Sequence, residues 1–369
     1  VDPWSVLDKQ GADAVRWYFY TNSSPWIPSR FYDEAVSEVQ RKFLGTLFNT
    51  YSFYVLYAEI DKFDPSKYSL DDCRLNMMDK WILSSLNSLV AFVDDSLENY
   101  KITESARAIS DFTDALSNWY VRRCRERFWG SDMTEDKKAA YMTLFTVLET
   151  LSRLTAPFIP FMAEEIYRNI VVSVFPDAPE SVHLASFPAC NEKYIDKALE
   201  AGMTVAENAA ILGRAARNLS GIKNRQPLKK IILCGGRSEN LDSELLSVIR
   251  DELNVKDIEY AADAGGYVSY EVKPQLKTLG PKYGSRLGKI RQYLAANAEK
   301  IVNGLKESDT YSFDIDGEKV DLTKDDLLIS VLSKEGYSVQ SDKGMTVILD
   351  TALDKELIEE GYMREIVSK

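Results

Sequence analysis

Histidine is almost missing from this chain of 369 residues: His183 stands alone, in Ser-Val-His-Leu. One imidazole in an extended apolar run has no partners nearby for metal ligation or nucleophile activation, so a structural role is expected of it. Cysteine is scarce too. Cys73, Cys124, Cys190 and Cys234 form no Cys-x-x-Cys pair, which excludes a zinc module or dithiol motif built on them and fits a reducing compartment. Glycine-rich phosphate loops are absent, since Gly235-Gly236 and Gly265-Gly266 are bare turn signals. The adjacent carboxylates Glu164-Glu165 would point about a hundred degrees apart on a helix, which excludes a catalytic dyad. No apolar run is long enough to span a bilayer, and Val1-Asp2-Pro3 has neither the basic start nor the apolar stretch of a signal peptide. Without chemistry-bearing clusters, the chain is expected to do no catalysis alone. Val1 in place of Met, and an amphipathic run at Glu356–Val367 that meets Lys369 without a stop signal, suggest a piece of something longer.

Positive charge is also in deficit, with 45 Lys and Arg against 57 Asp and Glu, a net charge of −12. Bulk attraction to nucleic acid or membrane is thereby excluded, and any RNA binding must come from local basic patches. Such patches exist. Gly213–Lys230 carries Arg214, Arg217, Lys223, Arg225, Lys229 and Lys230 with no acid among them. Lys273–Lys300 carries Lys273, Lys277, Lys282, Arg286, Lys289, Arg291 and Lys300 against Glu299 alone. Both could line an RNA backbone or be ordinary solvated faces. Glycines at 280, 284 and 288 allow close backbone approach in the second run.

The richest segment is Leu116–Trp129, Leu-Ser-Asn-Trp-Tyr-Val-Arg-Arg-Cys-Arg-Glu-Arg-Phe-Trp. Wound as a regular helix, Leu116, Tyr120, Cys124 and Phe128 form an apolar stripe. Asn118, Arg122, Arg125 and Trp129 line the opposite side. Arginine interleaved with tryptophan suits unpaired nucleotides: guanidinium groups take phosphates and the indole offers a stacking platform. A solvated charged face, with Glu126 pairing locally, is the alternative. Arg123 and Arg127 fall nearer the apolar boundary with Trp119, where they either brace the segment or join the contact.

Around this segment the pattern is helical from Phe31 to about Ile170. Glu34–Ile60, apolar on most faces, reads as the central and most buried helix. Met77–Tyr100 and Lys137–Thr155 are amphipathic, Thr103 is a candidate N-cap for the helix through Phe128, and Gly130 a candidate stop. Pro157 and Pro160 should position a helix start before Met162–Val171, with Phe158 and Phe161 in the core. Ser181–Pro188 looks extended, and Ala198–Leu219 helical. After Gln226-Pro227, runs at Lys229–Leu233, Asp257–Ala261 and Tyr267–Val272 are β-rich around a helix at Asp242–Leu253. A long helix, Tyr283–Lys306, and strands at Tyr311–Asp316 and Met345–Asp350 follow. The expected fold is mainly α, an antiparallel helical bundle followed by a smaller α+β domain. Its expected divisions are residues 1–30, a bundle at 31–190, a linking helix and junction at 191–228, and the α+β domain at 229–369.

Six motifs in register resemble one family. Val1-Asp2-Pro3 with Gly11-Ala12-Asp13-Ala14-Val15-Arg16 is similar to the segment after the catalytic lysine loop of class I aminoacyl-tRNA synthetases. Ser117–Arg123, Ala156–Phe161 with Glu164-Glu165-Ile166, and Ser181–Leu184 with Phe187-Pro188 resemble the anticodon-binding region shared by isoleucyl and valyl enzymes. Arg225-Gln226-Pro227-Leu228 and the closing Leu349–Leu353, Glu356–Gly361 and Arg364-Glu365 resemble the isoleucyl-tRNA synthetases, in their eukaryote-like branch. The two nucleotide-binding signatures of the catalytic domain and the editing insertion are not in this sequence. The resemblance therefore implies a fragment: a remnant of the tRNA-stem-contact fold (1–30), the anticodon-binding bundle and the α+β region.

Its implied work is binding and orienting tRNA(Ile) for an ATP-dependent isoleucine–tRNA ligase, with Asn118, Arg122, Arg125 and Trp129 on the anticodon loop and Arg123, Arg127, Arg225 and Lys229 assisting. Catalytic and editing domains of the same polypeptide are the other implied partners, in a cytoplasmic monomer with no membrane partner. No metal or cofactor is implied in this region, ATP being used by the catalytic domain. The same region of a valyl enzyme, or a non-catalytic interaction scaffold of synthetase ancestry, are the alternatives. The valyl family is expected to finish in a coiled-coil arm, and no heptad run appears here.

Overall fold

A computed structural model describes residues 3–367 apart from Pro25, Ser29 and Asp316. Val1, Asp2, Asp316 and Lys369, named above, lie outside the described residues. The chain divides into two compact units, residues 1–200 and 201–369.

The first unit is helical throughout: α1 (Pro3–Gln10), α2 (Ala12–Asn22), α3 (Asp33–Val39), α4 (Gly45–Asp61), α5 (Met77–Glu98), α6 (Ile102–Ala115), the single turn α7 (Arg122–Cys124), α8 (Glu135–Thr155) and α9 (Pro160–Tyr167). Wide π turns at Gln40–Leu44 and Leu116–Val121 join α3 to α4 and α6 to α7, and another at Arg168–Val172 ends α9. Side chains set several boundaries. Asn76 and Asp79 form a reciprocal capping box at the start of α5, and the Thr134 hydroxyl accepts from the Lys137 N–H at the start of α8, each satisfying amides that a helix start leaves orphaned. Pro160 occupies the first turn of α9, where its missing N–H costs nothing. The Asp13 carboxylate in α2 then accepts from the Met162 and Phe161 N–H groups at 2.7 and 3.4 Å, while Arg16 donates to the Phe158 and Pro157 carbonyls at 2.9 and 2.7 Å.

The bundle core lies between α5, α6 and α8, antiparallel neighbours through short connections. Ile82, Val93, Ile109, Leu116, Tyr120, Tyr141, Leu144 and Leu148 are buried there. Aromatic rings close its end: Phe128 meets Tyr141 edge-on at 4.8 Å, and Phe63 stacks on the same tyrosine at 4.5 Å. Some expectations fail for identifiable reasons. The most buried helix is α8, not the stretch Glu34–Ile60: Phe48, Leu56 and Ile60 are exposed in α4. Apolar composition on every face does not say how many neighbours a helix has, and α8 packs against α4, α5 and α9. Thr103 is buried inside the first turn of α6 rather than capping it, since the residue before the helix is Lys101. Phe158 is in the core, but Phe161 is exposed. Ser181–Pro188 contains a short 3-10 turn at Val182–Leu184, capped by Ser181.

The division between the units falls within α10 (Lys197–Leu219). The second unit continues with β1 (Leu228–Gly235), α11 (Ser243–Leu253), β2 (Val255–Tyr260), β3 (Val268–Pro274), α12 (Leu276–Tyr283), α13 (Leu287–Ala296), α14 (Ala298–Glu307), β4 (Thr310–Ile315), β5 (Glu318–Thr323), β6 (Leu327–Ser333), β7 (Tyr337–Asp342), β8 (Met345–Asp350) and α15 (Lys355–Val367). The main sheet has the order β2-β1-β8-β7, with β1 and β2 parallel through the α11 crossover. The β7–β8 hairpin turns at Lys343-Gly344, both at positive φ. Two-stranded pairs β3–β6 and β4–β5 cover a second core shared with α12–α14, around Leu279, Ile290, Leu294 and Ile301. The single long helix expected at Tyr283–Lys306 is broken, because Gly284–Arg286 tightens to a 3-10 turn and Asn297 leaves helical geometry. Strand β6 has no counterpart in the sequence reading.

Candidate nucleic-acid interface

Leu116–Trp129 is not one regular helix. It passes from the π turn through α7 into a 3-10 stretch, Arg125–Phe128. The two-faced sorting nevertheless survives, because a widened turn followed by a tightened one offsets the angular drift of each. Leu116, Tyr120, Cys124 and Phe128 are all buried. Asn118, Arg122, Arg125 and Trp129 are all exposed, with Trp129 56% accessible.

The outward groups are partly preorganised. Asn118 donates its amide to the Asp114 carboxylate at 2.6 Å. Arg122 donates from Nε to the Asn118 carbonyl at 2.7 Å, and its guanidinium sits 5.8 Å from the centre of the Trp119 ring. Partial burial, followed by the positive charge of Arg123, pushes the Arg122 pKa below the ordinary arginine value. Arg125 is exposed, and among the described residues no ion pair holds it. Arg123 is half-buried at the boundary.

Arg127 points the other way. Its side chain is only 12% accessible. It donates to both oxygens of Asp79, at 2.7 and 2.9 Å, and to both of Asp136, at 2.9 and 2.8 Å. Asp79 is wholly buried and also accepts the Tyr120 hydroxyl at 2.7 Å. Burial alone would lower the Arg127 pKa, but the Asp79 and Asp136 carboxylates raise it well above its ordinary value. Burial, and next the Asp79 charge, push the Tyr120 phenol well up, so it stays a donor. The acids that complete this cluster were not singled out from sequence, although the Asn76-x-x-Asp79 spacing is a readable capping signal.

In the second unit most of the basic run at Gly213–Lys230 is consumed internally. Arg214 pairs with Glu252, Lys223 with Glu365 and Lys230 with Glu259. Arg217 is wholly buried and donates to the carbonyls of Leu253, Lys223, Gln226 and Asn254. Burial lowers its pKa to about 10. The expectation that Arg217 lies on a solvated or RNA-facing surface is therefore corrected. Arg225 and Lys229 are exposed, and among the described residues no ion pair holds either side chain. Of the later run, Lys273 pairs with Glu271, Lys282 with Asp326 and Arg286 with Glu318. Among the described residues no group of three His, Cys, Asp or Glu could hold a metal ion, all four cysteines are free thiols, and no helix is long and apolar enough to cross a membrane.

Residues 79–232, which contain the whole Arg/Trp segment, match the family model for the anticodon-binding domain of tRNA ligase. Along its full length the chain is 47% identical to an isoleucine–tRNA ligase of Clostridium novyi, covering 36% of that protein. It is 48% identical to the corresponding ligase of Clostridium acetobutylicum, covering 35%. Identity is 39% to that of Porphyromonas gingivalis, covering 32%. The chain thus spans roughly a third of the length of the curated relatives it matches. A solved LeuRS–tRNA–LeuAMS ternary complex from Agrobacterium radiobacter aligns with 53% of the chain at 22% identity and a TM-score of 0.41.

Proposed function

From its likeness to isoleucine–tRNA ligases along its whole length and the anticodon-binding domain inside it, we propose that this chain binds and orients tRNA(Ile) through the anticodon loop. The outward face of Asn118, Arg122, Arg125 and Trp129 forms the contact. The observation that carries this reading is the exposed Trp129 indole, four positions after the exposed Arg125, inside the span that matches the anticodon-binding model. Bases splayed from a single-stranded loop stack on such a ring and expose their edges to arginine and asparagine. Arg225 and Lys229 supply cations for the RNA backbone.

The ligation of isoleucine to tRNA with ATP belongs, on this reading, to catalytic residues outside the present 369. Here the work is positional and needs no cofactor or metal. The protein is read as a cytoplasmic monomer whose other partners are the catalytic and editing domains of its own polypeptide. Competition filter binding tests the reading: at fixed salt, tRNA(Ile) should outcompete the same RNA with exchanged anticodon bases. Equal competition by bulk RNA would sink it, as an unselective or non-RNA scaffold requires.

A further inference from the structure

The short 3-10 stretch that presents Arg125 and Trp129 has little intrinsic persistence, since such turns have poor hydrogen-bond geometry. Phe128 anchors one side of it in the core. The other anchor is Arg127, whose side chain is only 12% accessible. Its planar fork reaches two helix starts at once: Asp79 in the first turn of α5 and Asp136 in the first turn of α8. Its amino group also donates to the Asp136 backbone carbonyl at 2.9 Å. Tyr120, on the preceding π turn, shares the Asp79 carboxylate. Three pieces of chain are therefore tied through one guanidinium, the π turn joins them through Asp79, and the neighbours of Arg127 at distance two are the exposed Arg125 and Trp129.

We infer that Arg127 is a positioning residue: the Asp79–Arg127–Asp136 clamp sets the angle at which Trp129 meets the anticodon loop, without itself touching RNA. This rests on the anticodon reading of the outward face. A lysine keeps the charge but is a point donor, and it cannot hold two carboxylates in fixed planes. The clamp is thus a geometric device more than an electrostatic one.

A mutant cycle on the full chain tests it, with tRNA(Ile) as probe at fixed ionic strength. Arg127→Lys should weaken binding about tenfold, much as loss of a stacking platform does. In a Trp129→Ala background the same change should cost almost nothing, because the group being aimed is gone. A merely structural role would lower binding by the same factor in both backgrounds, and that result overturns the inference, as does unchanged binding by Arg127→Lys. If Arg127→Lys fails to fold, Asp136→Asn serves, since it keeps the Asp79 pair; a roughly threefold loss, again absent without Trp129, is expected. Should Trp129→Ala alone leave binding intact, the anticodon reading itself fails and the clamp has nothing to aim. That outcome is distinguishable from additive losses, which fault only the clamp.

Discussion

Two arginine-rich segments, Leu116–Trp129 in the first unit and Gly213–Lys230 in the second, look alike as strings of charge and differ once folded. The first turns Arg127 inward, leaves Arg123 half-buried, and displays Arg122 and Arg125 together with an exposed indole. The second spends Arg214, Arg217, Lys223 and Lys230 on its own acids and carbonyls, leaving Arg225 and Lys229 on the surface. A count of basic residues therefore says little about the field a ligand meets. Acids distant in sequence decide it, since a cation already paired contributes little beyond a Debye length.

The comparison breaks first on stability. Phe128→Ala should destabilise the first unit by roughly 3–5 kcal/mol, as a core truncation, whereas the adjacent Trp129→Ala should stay within about ±0.5 kcal/mol. Urea melts of the two variants decide this, and equal losses would mean that the outward face is packed. In the second segment, Arg217→Met should cost about 3 kcal/mol, because each buried carbonyl left unpaired costs about 1–3 kcal/mol. Arg225→Ala should leave the melt unchanged.

RNA affinity sharpens the contrast at smaller scale. Trp129→Ala should weaken tRNA binding by about 1–3 kcal/mol with little change in salt dependence. Arg125→Ala or Lys229→Ala should each reduce the salt slope by about one unit if phosphate is the contact. Already-paired Lys230 should give no such reduction. The smallest effect concerns pH. Asp326 is buried, which alone would raise its pKa, but the Thr323 N–H, Lys282 and the Thr323 hydroxyl outweigh burial and lower it. A depressed carboxyl stabilises the folded state above its unfolded value and loses that contribution as pH falls through the folded one. Acid melts of the second unit should therefore be steeper in the parent than in Asp326→Asn.

Much of this was legible beforehand where periodicity and burial coincide. The inner stripe Leu116, Tyr120, Cys124 and Phe128 and the outer stripe Asn118, Arg122, Arg125 and Trp129 follow from helical spacing, and they survive a change of helix type that the spacing does not reveal. Strands β1 to β3 and β8 follow from β-branched runs between turns. What failed depends on distant partners. Exposure of Phe48 and Phe161 turns on what packs over them, and Arg217 is buried because four carbonyls converge on it. Strand β6 and the break at Asn297 likewise need the neighbouring strand and helix to be seen.

The bond between α2 and the start of α9 carries a consequence in time. Asp13 meets the Met162 amide 149 positions later, and Arg16 meets the Phe158 carbonyl 142 positions later. On a ribosome adding about 5–20 residues per second, α2 waits roughly 7–30 s before its partners exist. During that interval a buried aspartate and an arginine face water, and Trp17, which stacks on Phe43 at 3.7 Å, is the contact available sooner. The nascent chain is then expected to hold α2 provisionally through aromatic packing and to lock it only when Pro157–Met162 emerges. Protease nicking of arrested chains in which residue 162 is still inside the ribosome and of longer ones in which it has emerged should register that moment as a sudden protection of the amino-terminal helices.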